Sequence, residues 1–237
     1  MLEICLFYND LTQVKWDGMG EKGINNMIHD FVYVSPDETT PVRKELESLI
    51  HDVQNEVREY FTFQYHFVGS ASRNMITMDR KSNIGYDFDV YFEVNDDDEE
   101  YDAKEIRMIL KNAIDKHAGK YGYAHCEDST RVLRIKKIDH FGSRIIHSCE
   151  FAIVYDCGNG QQQYIRYNKN KNNYTWEYRQ KGFGLEEKAD WLKKNNLWQD
   201  VRDYYIDKKN YNQDPNKKSI SLYAETINEM YKMNHPR

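Results

Sequence analysis

Two aspartates on one face of a predicted strand are the side chains best placed for chemistry in this 237-residue chain. In the run YDFDVYFE, successive side chains point to opposite faces of the strand. Asp87 and Asp89 therefore lie side by side, while Phe88 and Val90 turn toward a core. Neighbouring carboxylates repel each other and resist burial, and a divalent cation is the usual reason that such a pair persists. The spacing predicts a metal site.

A phosphate-binding element is predicted just before that strand. The run FTFQYHFVGS alternates like a strand and ends at Gly69 and Ser70. Glycine lets backbone N–H groups come close to a phosphate, and serine adds a hydroxyl donor. Arg73 and Thr77 follow in a polar connector; they are candidates for phosphate contacts, although a surface loop accounts for them equally well. A phosphate element beside a metal element predicts a site for a nucleoside triphosphate (NTP).

These residues together resemble a known superfamily. The order GS, a polar connector with a threonine, then D-x-D inside an apolar strand is similar to the nucleotidyltransferases of the DNA polymerase β superfamily. The nearest branch holds oligoadenylate synthetases, cyclic GMP-AMP synthase and bacterial cyclic-oligonucleotide synthases (CD-NTases), and the likeness covers roughly residues 42–156. That family has a third metal carboxylate on a later strand, in a run such as S-V-D followed by apolar residues. The run SCEFAIV offers Glu150 there, with Asp156 as a rival of the same strand parity.

The resemblance implies an activity and its cofactor. Asp87, Asp89 and Glu150 would be the catalytic residues and would hold two Mg²⁺ or Mn²⁺ ions. The implied nucleotide-binding residues are Gly69, Ser70, Arg73, Thr77 and Lys188. The implied function is transfer of a nucleoside monophosphate from an NTP to a hydroxyl of a nucleotide, an RNA or a protein, with release of pyrophosphate. Two alternatives stay open: a catalytically degenerate protein that binds a nucleotide or a partner, and the toxin of a toxin–antitoxin pair.

Helices and further strands must position these residues. Thr40 is predicted to cap a helix that begins at Pro41, and apolar residues follow at helical spacing: Val42, Leu46, Leu49, Ile50, Val53 and Val57. A second helix is predicted from about Asp102 to His117, with Gly119 as its terminator. RVLRIKKI and SRIIHSCEFAIVYD read as strands, a Cys157–Gly160 hairpin turn follows with its Asn-Gly signal, and QQYIRY and YTWEYRQ read as further strands. From Leu185 onward the pattern is helical.

These elements predict an α+β fold with an α/β nucleotidyltransferase core. We expect a mixed, twisted sheet with helices on one side and a small C-terminal helical lobe. The predicted divisions are an N-terminal segment packing on the core (1–40), the core (41–183) and the lobe (184–237). The active site is expected in the cleft between the sheet and the lobe.

Composition and missing motifs exclude other classes. The net charge is −6, yet residues 157–237 hold 15 Lys and Arg against 10 Asp and Glu, which suits an enzyme of polyanions. No apolar run of about eighteen residues and no signal-peptide pattern occur, so we expect no membrane partner. The four cysteines lack the spacing of a disulfide scaffold, which favours a reduced, cytoplasmic protein. P-loop, Rossmann, G-x-S-x-G, compact zinc-ligand and DNA-reading patterns are absent from the sequence; the oligomeric state stays open.

Overall fold

The computed structural model describes residues 27–96, 99–158, 160–179 and 184–235, so the first 26 residues of the predicted N-terminal segment lie outside it. The elements, in chain order, are β1 (Phe31–Tyr33), α1 (Pro36–Val57), β2 (Thr62–Val68), α2 (Gly69–Ser72), β3 (Thr77–Asp79), β4 (Ile84–Asn95), α3 (Ala103–Ala118), β5 (Glu127–Asp128), β6 (Leu133–Asp139), β7 (Arg144–Gly158), β8 (Gln161–Asn168), β9 (Asn173–Tyr178), α4 (Leu185–Lys194), α5 (Trp198–Asn210) and α6 (Ser219–Asn234). The predicted α+β fold is confirmed.

A mixed sheet forms the centre of the described chain. Its strands run in the order β2-β4-β7-β6-β5, and β8 and β9 continue from β7. Strand β4 is antiparallel to β2 and parallel to β7, whereas β7 is antiparallel to β6 and β8. Phe88, Val90 and Phe92 turn to the buried face of β4, as the alternation predicts. The β7–β8 pairing confirms the predicted hairpin, whose Asn159 lies outside the described residues.

Helices α1 and α3 pack on that buried face. The predicted apolar stripe of α1 is confirmed, because five of its six members are fully buried and Val42 packs against them. The predicted start of this helix is wrong. The helix begins at Pro36, Ser35 is the N-cap, and the Ser35 hydroxyl accepts from the Glu38 N–H at 3.3 Å. Ser35-Pro36 carries the same cap-and-proline signal earlier than Thr40-Pro41, and Pro41 is tolerated inside the helix.

Helix α3 begins after Asp102 and ends before Gly119, as predicted. Asp102 and Glu105 form a capping box in which each side chain accepts from the other's backbone N–H. Gly119 is the C-cap, as expected, but it keeps a helical φ of −60° and opens a 3₁₀ turn over Gly119–Tyr121. The left-handed residue that ends the run is Gly122, at φ +76°.

The C-terminal helices share a second apolar core. Helices α4, α5 and α6 bury Leu192, Val201, Leu222 and Ile227 against one another, with Met75 from the connector among them. The short ribbon of β1 and β3 attaches to α5, because the Asn210 side chain accepts from the Phe31 N–H and donates to the Phe31 carbonyl. The division into core and lobe remains a prediction. No helix among the described residues is both long and apolar enough to cross a membrane.

A buried arginine that the sequence reading did not single out fixes α3 to the sheet. Arg107 is 0% exposed, and its guanidinium donates to Asp128 and to the carbonyls of Ser129, Val132 and Ile165. An arginine can be buried in this way only when its donors find acceptors.

We predict that Arg107→Gln lowers the free energy of unfolding by about 3–5 kcal/mol, because the shorter side chain leaves the Asp128 carboxylate without its cation. Urea denaturation measures the loss. Lys116→Gln is the control, since Lys116 pairs with Glu56 at the surface and its loss should cost less than about 1 kcal/mol. Equally small losses in both variants would contradict the role of Arg107.

Candidate active site

Strand register brings the predicted carboxylates together. In the parallel pairing of β4 with β7, Asp87 lies opposite Ser148 and Asp89 lies opposite Glu150. Residues opposite each other on neighbouring strands point to the same face. The three carboxylates therefore occupy one sheet face, away from α1 and α3.

The hydrogen bonds within this group are sparse. Ser148 donates to Asp87 through its hydroxyl at 3.5 Å, and no described residue donates a hydrogen bond to Asp89. Glu150 is different, since its Oε1 accepts from both Nε and Nη2 of Arg134, the former at 2.7 Å. Two carboxylates are thus left without a bonded cation and the third has one.

Burial and neighbouring charges raise the pKa values of Asp87 and Asp89. Burial, together with the charges of Asp87 and Glu150, raises the pKa of Asp89 to about 6, although Arg73 acts in the opposite direction. The pKa of Asp87 is also raised, first by burial and then by Glu150, while Lys209 and Arg134 lower it. Water reaches the Asp87 side chain, yet protein surrounds it on most sides, as at the floor of a cavity. Carboxylates in this state gain from a cation.

Asp156, the rival third acid, is placed elsewhere. It lies opposite Gln162 at the hairpin end of β7, and its carboxylate accepts from the Gly158 N–H at 2.9 Å. Six residues of strand separate it from Glu150, which is about 20 Å at the usual rise. Glu150 is therefore the acid that shares a row with Asp89.

Gly69 makes the close approach between the connector and Asp89 feasible. Its φ of +63° is in the left-handed region, and a Cβ added there would lie 2.4 Å from Oδ2 of Asp89. A side chain at this position would collide with a group that the site needs. Ser70 follows in the short helix α2 and lines the same cavity.

A cavity of about 960 Å³ opens between the sheet and helices α5 and α6. It is lined by Gly69, Ser70, Asp87, Asp89 and Glu150 on one side, and by Tyr205, Lys209, Lys218 and Ser219 on the other. This volume suits a nucleotide-sized ligand.

Basic groups face the carboxylates across this cavity. Arg73 stacks on the Tyr223 ring at 4.1 Å, and its buried Nε finds no acceptor among the described residues. Lys209 is 6% exposed and donates to the Thr77 hydroxyl at 2.7 Å. Burial lowers the pKa of Lys209 to about 8, although Asp87 and Asp79 act in the opposite direction. Arg73 and Thr77 both line the cavity, and their contact with phosphate stays a prediction.

Lys188 lies outside the cavity, and its Nζ donates to the Asn228 side chain at 2.6 Å. Lys209, which the sequence analysis did not single out, is a helical lysine that does line the cavity. A signal was present, because Val201, Tyr205 and Lys209 are spaced at i, i+4 and i+8 on one stripe of α5. A lysine on a buried stripe is a candidate for a role other than solvation.

The far end of the cavity carries arginine–tyrosine pairs. The Arg179 guanidinium lies 5.0 Å from the centre of the Tyr91 ring, and that of Arg131 lies 5.8 Å from the centre of the Tyr164 ring. All four residues line the cavity. Rings and guanidinium planes of this kind stack on nucleobases.

The donor set fits a hard divalent cation in its chemistry, since it consists of carboxylate oxygens, two of them with raised pKa values. Within the described ranges, however, no three His, Cys, Asp or Glu side chains already surround a common point. Glu150, the third carboxylate, is paired with Arg134.

Comparisons with solved structures show which fold this is. The Vibrio cholerae cyclic AMP-GMP synthase DncV, in complex with the linear intermediate pppA(3′,5′)pG, is 13% identical over 86% of this chain and 69% of that chain, with a TM-score of 0.60. The 3′-deoxy ATP form of the same protein is 15% identical over 86% and 54%, with a TM-score of 0.54. The CD-NTase CdnG of Bradyrhizobium diazoefficiens, in complex with GTP, is 10% identical over 67% and 43%, with a TM-score of 0.50.

The resemblance to DNA polymerase β-like nucleotidyltransferases is confirmed at the level of fold, which is all that such low identities show. The chain spans about half the length of two of these structures, 43% and 54%. No protein-family model and no curated protein matches the sequence.

We predict that Gly69→Ala destabilises the fold more than Gly158→Ala does. Both glycines have a left-handed φ, which costs an alanine roughly 1–2 kcal/mol, but an added Cβ meets Asp89 at position 69 and nothing within 4 Å at position 158. The clash should add about 1–3 kcal/mol in urea denaturation. Equal losses would show that the connector yields without strain.

We predict that Asp89→Asn stabilises the protein at pH 8 in the absence of divalent cations. The pKa of Asp89, about 6, lies above that of an unfolded aspartate, so the charged form destabilises the fold and stability falls as pH rises through this range. Asparagine mimics the protonated form, and the gain should be about 1–3 kcal/mol at pH 8 and vanish near pH 4. Urea denaturation at both pH values measures it. The exposed Asp156→Asn is the control, and a wild-type-like Asp89→Asn at pH 8 would contradict the prediction.

Proposed function

From the shared fold and the carboxylates on its sheet, we propose that this chain is a metal-dependent nucleotidyltransferase. It moves a nucleoside monophosphate from an NTP to a hydroxyl and releases pyrophosphate. The observation that carries the proposal is the placement of Asp87, Asp89 and Glu150 on one sheet face, against Gly69, on the floor of a nucleotide-sized cavity.

Asp87, Asp89 and Glu150 would together hold two divalent ions, Mg²⁺ or Mn²⁺. When bound, these ions supply charge neutralisation for the triphosphate and lower the pKa of the acceptor hydroxyl. The raised pKa values of the two aspartates support this role, because a site that holds its carboxylates together at an electrostatic cost is prepared for a cation.

The triphosphate would lie between the sheet and α5. Gly69 leaves room for phosphate oxygens beside Asp89, and the Ser70 hydroxyl is at the same bend. Arg73 offers a buried donor without an acceptor, and Lys209 offers an ammonium beside Thr77. Lys188 has no part in this arrangement, since it lies outside the cavity. The relatives solved with GTP or 3′-deoxy ATP support an NTP as the ligand.

The residues of this chain contribute positioning and charge to the reaction. The acceptor oxygen attacks the α-phosphorus, the bond from that phosphorus to the bridging oxygen breaks, and pyrophosphate leaves. Arg73 and Lys209 stabilise the negative charge that develops on the departing pyrophosphate. Asp87 and Asp89 position the α-phosphate relative to these two cations.

The acceptor is more consistent with a nucleotide or an RNA end than with a protein side chain. The pairs Arg179–Tyr91 and Arg131–Tyr164 provide stacking planes with positive charge, which suit a base and its phosphate. Use of NTPs fits the cytoplasmic location that the sequence predicts.

We predict that the purified chain releases pyrophosphate from labelled NTPs with Mg²⁺ or Mn²⁺, and that Asp87→Asn or Asp89→Asn lowers this rate at least about a hundredfold. Asp156→Asn should keep the wild-type rate, because Asp156 lies in the hairpin and asparagine preserves an acceptor for the Gly158 N–H. Thermal unfolding verifies that each variant is folded.

Two outcomes would contradict the proposal in different ways. Full activity in Asp87→Asn and Asp89→Asn would remove the carboxylates from the mechanism. NTP binding without pyrophosphate release, with every NTP and either metal, would favour the alternative of a catalytically degenerate nucleotide-binding protein. The pairing of Glu150 with Arg134 is the feature that would explain the lost activity in that case.

A further inference from the structure

The carboxylate row continues into a basic residue on the next strand. In the antiparallel pairing of β6 with β7, Arg134 lies directly opposite Glu150, which itself lies opposite Asp89. Across three strands the row therefore reads Asp89, Glu150, Arg134. Directly opposed side chains share a face, so the guanidinium can reach the third carboxylate from the side away from Asp89.

Arg134 engages Glu150 in an uneven way. Its Nε and Nη2 both donate to Oε1, whereas Oε2 accepts no hydrogen bond from a described residue. The two side chains are 35% and 25% exposed, so the pair is neither fully buried nor freely solvated. The extra methylene of glutamate, compared with aspartate, lets the carboxylate reach over the neighbouring strand. Two hydrogen bonds from one guanidinium fix the orientation of the Glu150 carboxylate. Because the pair is partly exposed to solvent, a competing cation can displace the guanidinium.

The two aspartates have no such partner. Arg73 and Lys209 act on Asp89 and Asp87 through space, and within the described residues neither forms an ion pair with them. Of the three acids, Glu150 alone is thus already paired with a cation of the described chain.

We propose that Arg134 is a positioning residue that competes with the metal for Glu150 and thereby sets the metal affinity of the site. The inference rests on the proposed function, since it concerns the same three carboxylates. Arg134 keeps Glu150 out of the metal-binding set in the free protein. Glu150 joins Asp87 and Asp89 only when its bond to the guanidinium is given up, so part of the binding free energy is spent on breaking this pair.

Isothermal titration of the full chain with Mn²⁺, in the absence of nucleotide, tests the proposal. Arg134→Gln removes the competitor, and we expect the Kd for Mn²⁺ to fall about three- to tenfold. Arg134→Lys keeps the charge but loses the two-donor contact, and its Kd should lie between those of the wild type and Arg134→Gln.

Lys136→Gln is the matched control for simple loss of positive charge. Lys136 is on the same face of the same strand, lies opposite Ser148, and pairs with Glu127 rather than with Glu150. General Coulomb attraction would tighten Mn²⁺ binding equally in both variants, whereas competition for Glu150 tightens it mainly in Arg134→Gln. Thermal unfolding of every variant verifies that the fold is kept.

A double variant isolates the pair. In Arg134→Gln/Glu150→Gln the gain should disappear, so that its Kd equals that of Glu150→Gln alone. A gain that survives the loss of Glu150 would overturn the proposal. An unchanged or weaker affinity in Arg134→Gln would also overturn it, because Arg134 would then be neutral or would support Glu150 as a ligand.

The remaining outcomes separate this inference from the proposed function. Mn²⁺ binding that depends on Asp87 and Asp89 but not on Arg134 would leave the nucleotidyltransferase proposal intact and reject the competition. Binding in Arg134→Gln together with undetectable binding in the wild type would support the competition in its strongest form. No Mn²⁺ binding in any variant would reject the competition, while pyrophosphate release from metal–NTP would still decide the proposed function.

Discussion

Three carboxylates on one sheet face repel each other, and the neighbouring elements are arranged so that the repulsion is tolerated. The apolar sides of β4 and β7 supply the compensating free energy, because Phe88, Val90 and Phe151 are fully buried against α1 and α3. The same strands thus bury one face strongly enough to display charge on the other. A structure without that core could not hold Asp87, Asp89 and Glu150 in register, and the strands would relieve the strain by separating.

The buried apolar residues also fix the register between β4 and β7. A slip of one residue between β4 and β7 would send Asp89 into the core and Phe88 into the cavity, so the hydrophobic pattern forbids it. The parallel β4–β7 pair therefore places core residues on one face and the three carboxylates on the other. Gly69 adds a second constraint from β2, since only a residue without Cβ can turn so close to Asp89.

Much of this could be predicted from the sequence, since alternation in β4 and the stripe of α1 are local patterns that tertiary packing reinforces. The signal that misled was also local: Thr40-Pro41 carries the same cap chemistry as Ser35-Pro36, and only packing decides between them. Arg107 and the bond from Arg134 to Glu150 could not be predicted from residue spacing. Their roles depend on contacts between residues far apart in the chain, for which a single sequence has no periodic signal.

The cavity has an acidic wall and a basic wall, and among the described residues no ion pair joins Arg73 or Lys209 to Asp87 or Asp89. The acidic wall is the sheet and the basic wall includes Arg73 and Lys209, yet these cations are held by Tyr223 and Thr77 rather than by Asp87 or Asp89. Direct ion pairs across the gap would neutralise both walls and leave no site. Because the cations are anchored to neutral partners, each wall keeps unmet charge of its own sign. A ligand that presents cations to the sheet and phosphate oxygens to the helices satisfies both walls at once, and a metal–triphosphate complex has that polarity.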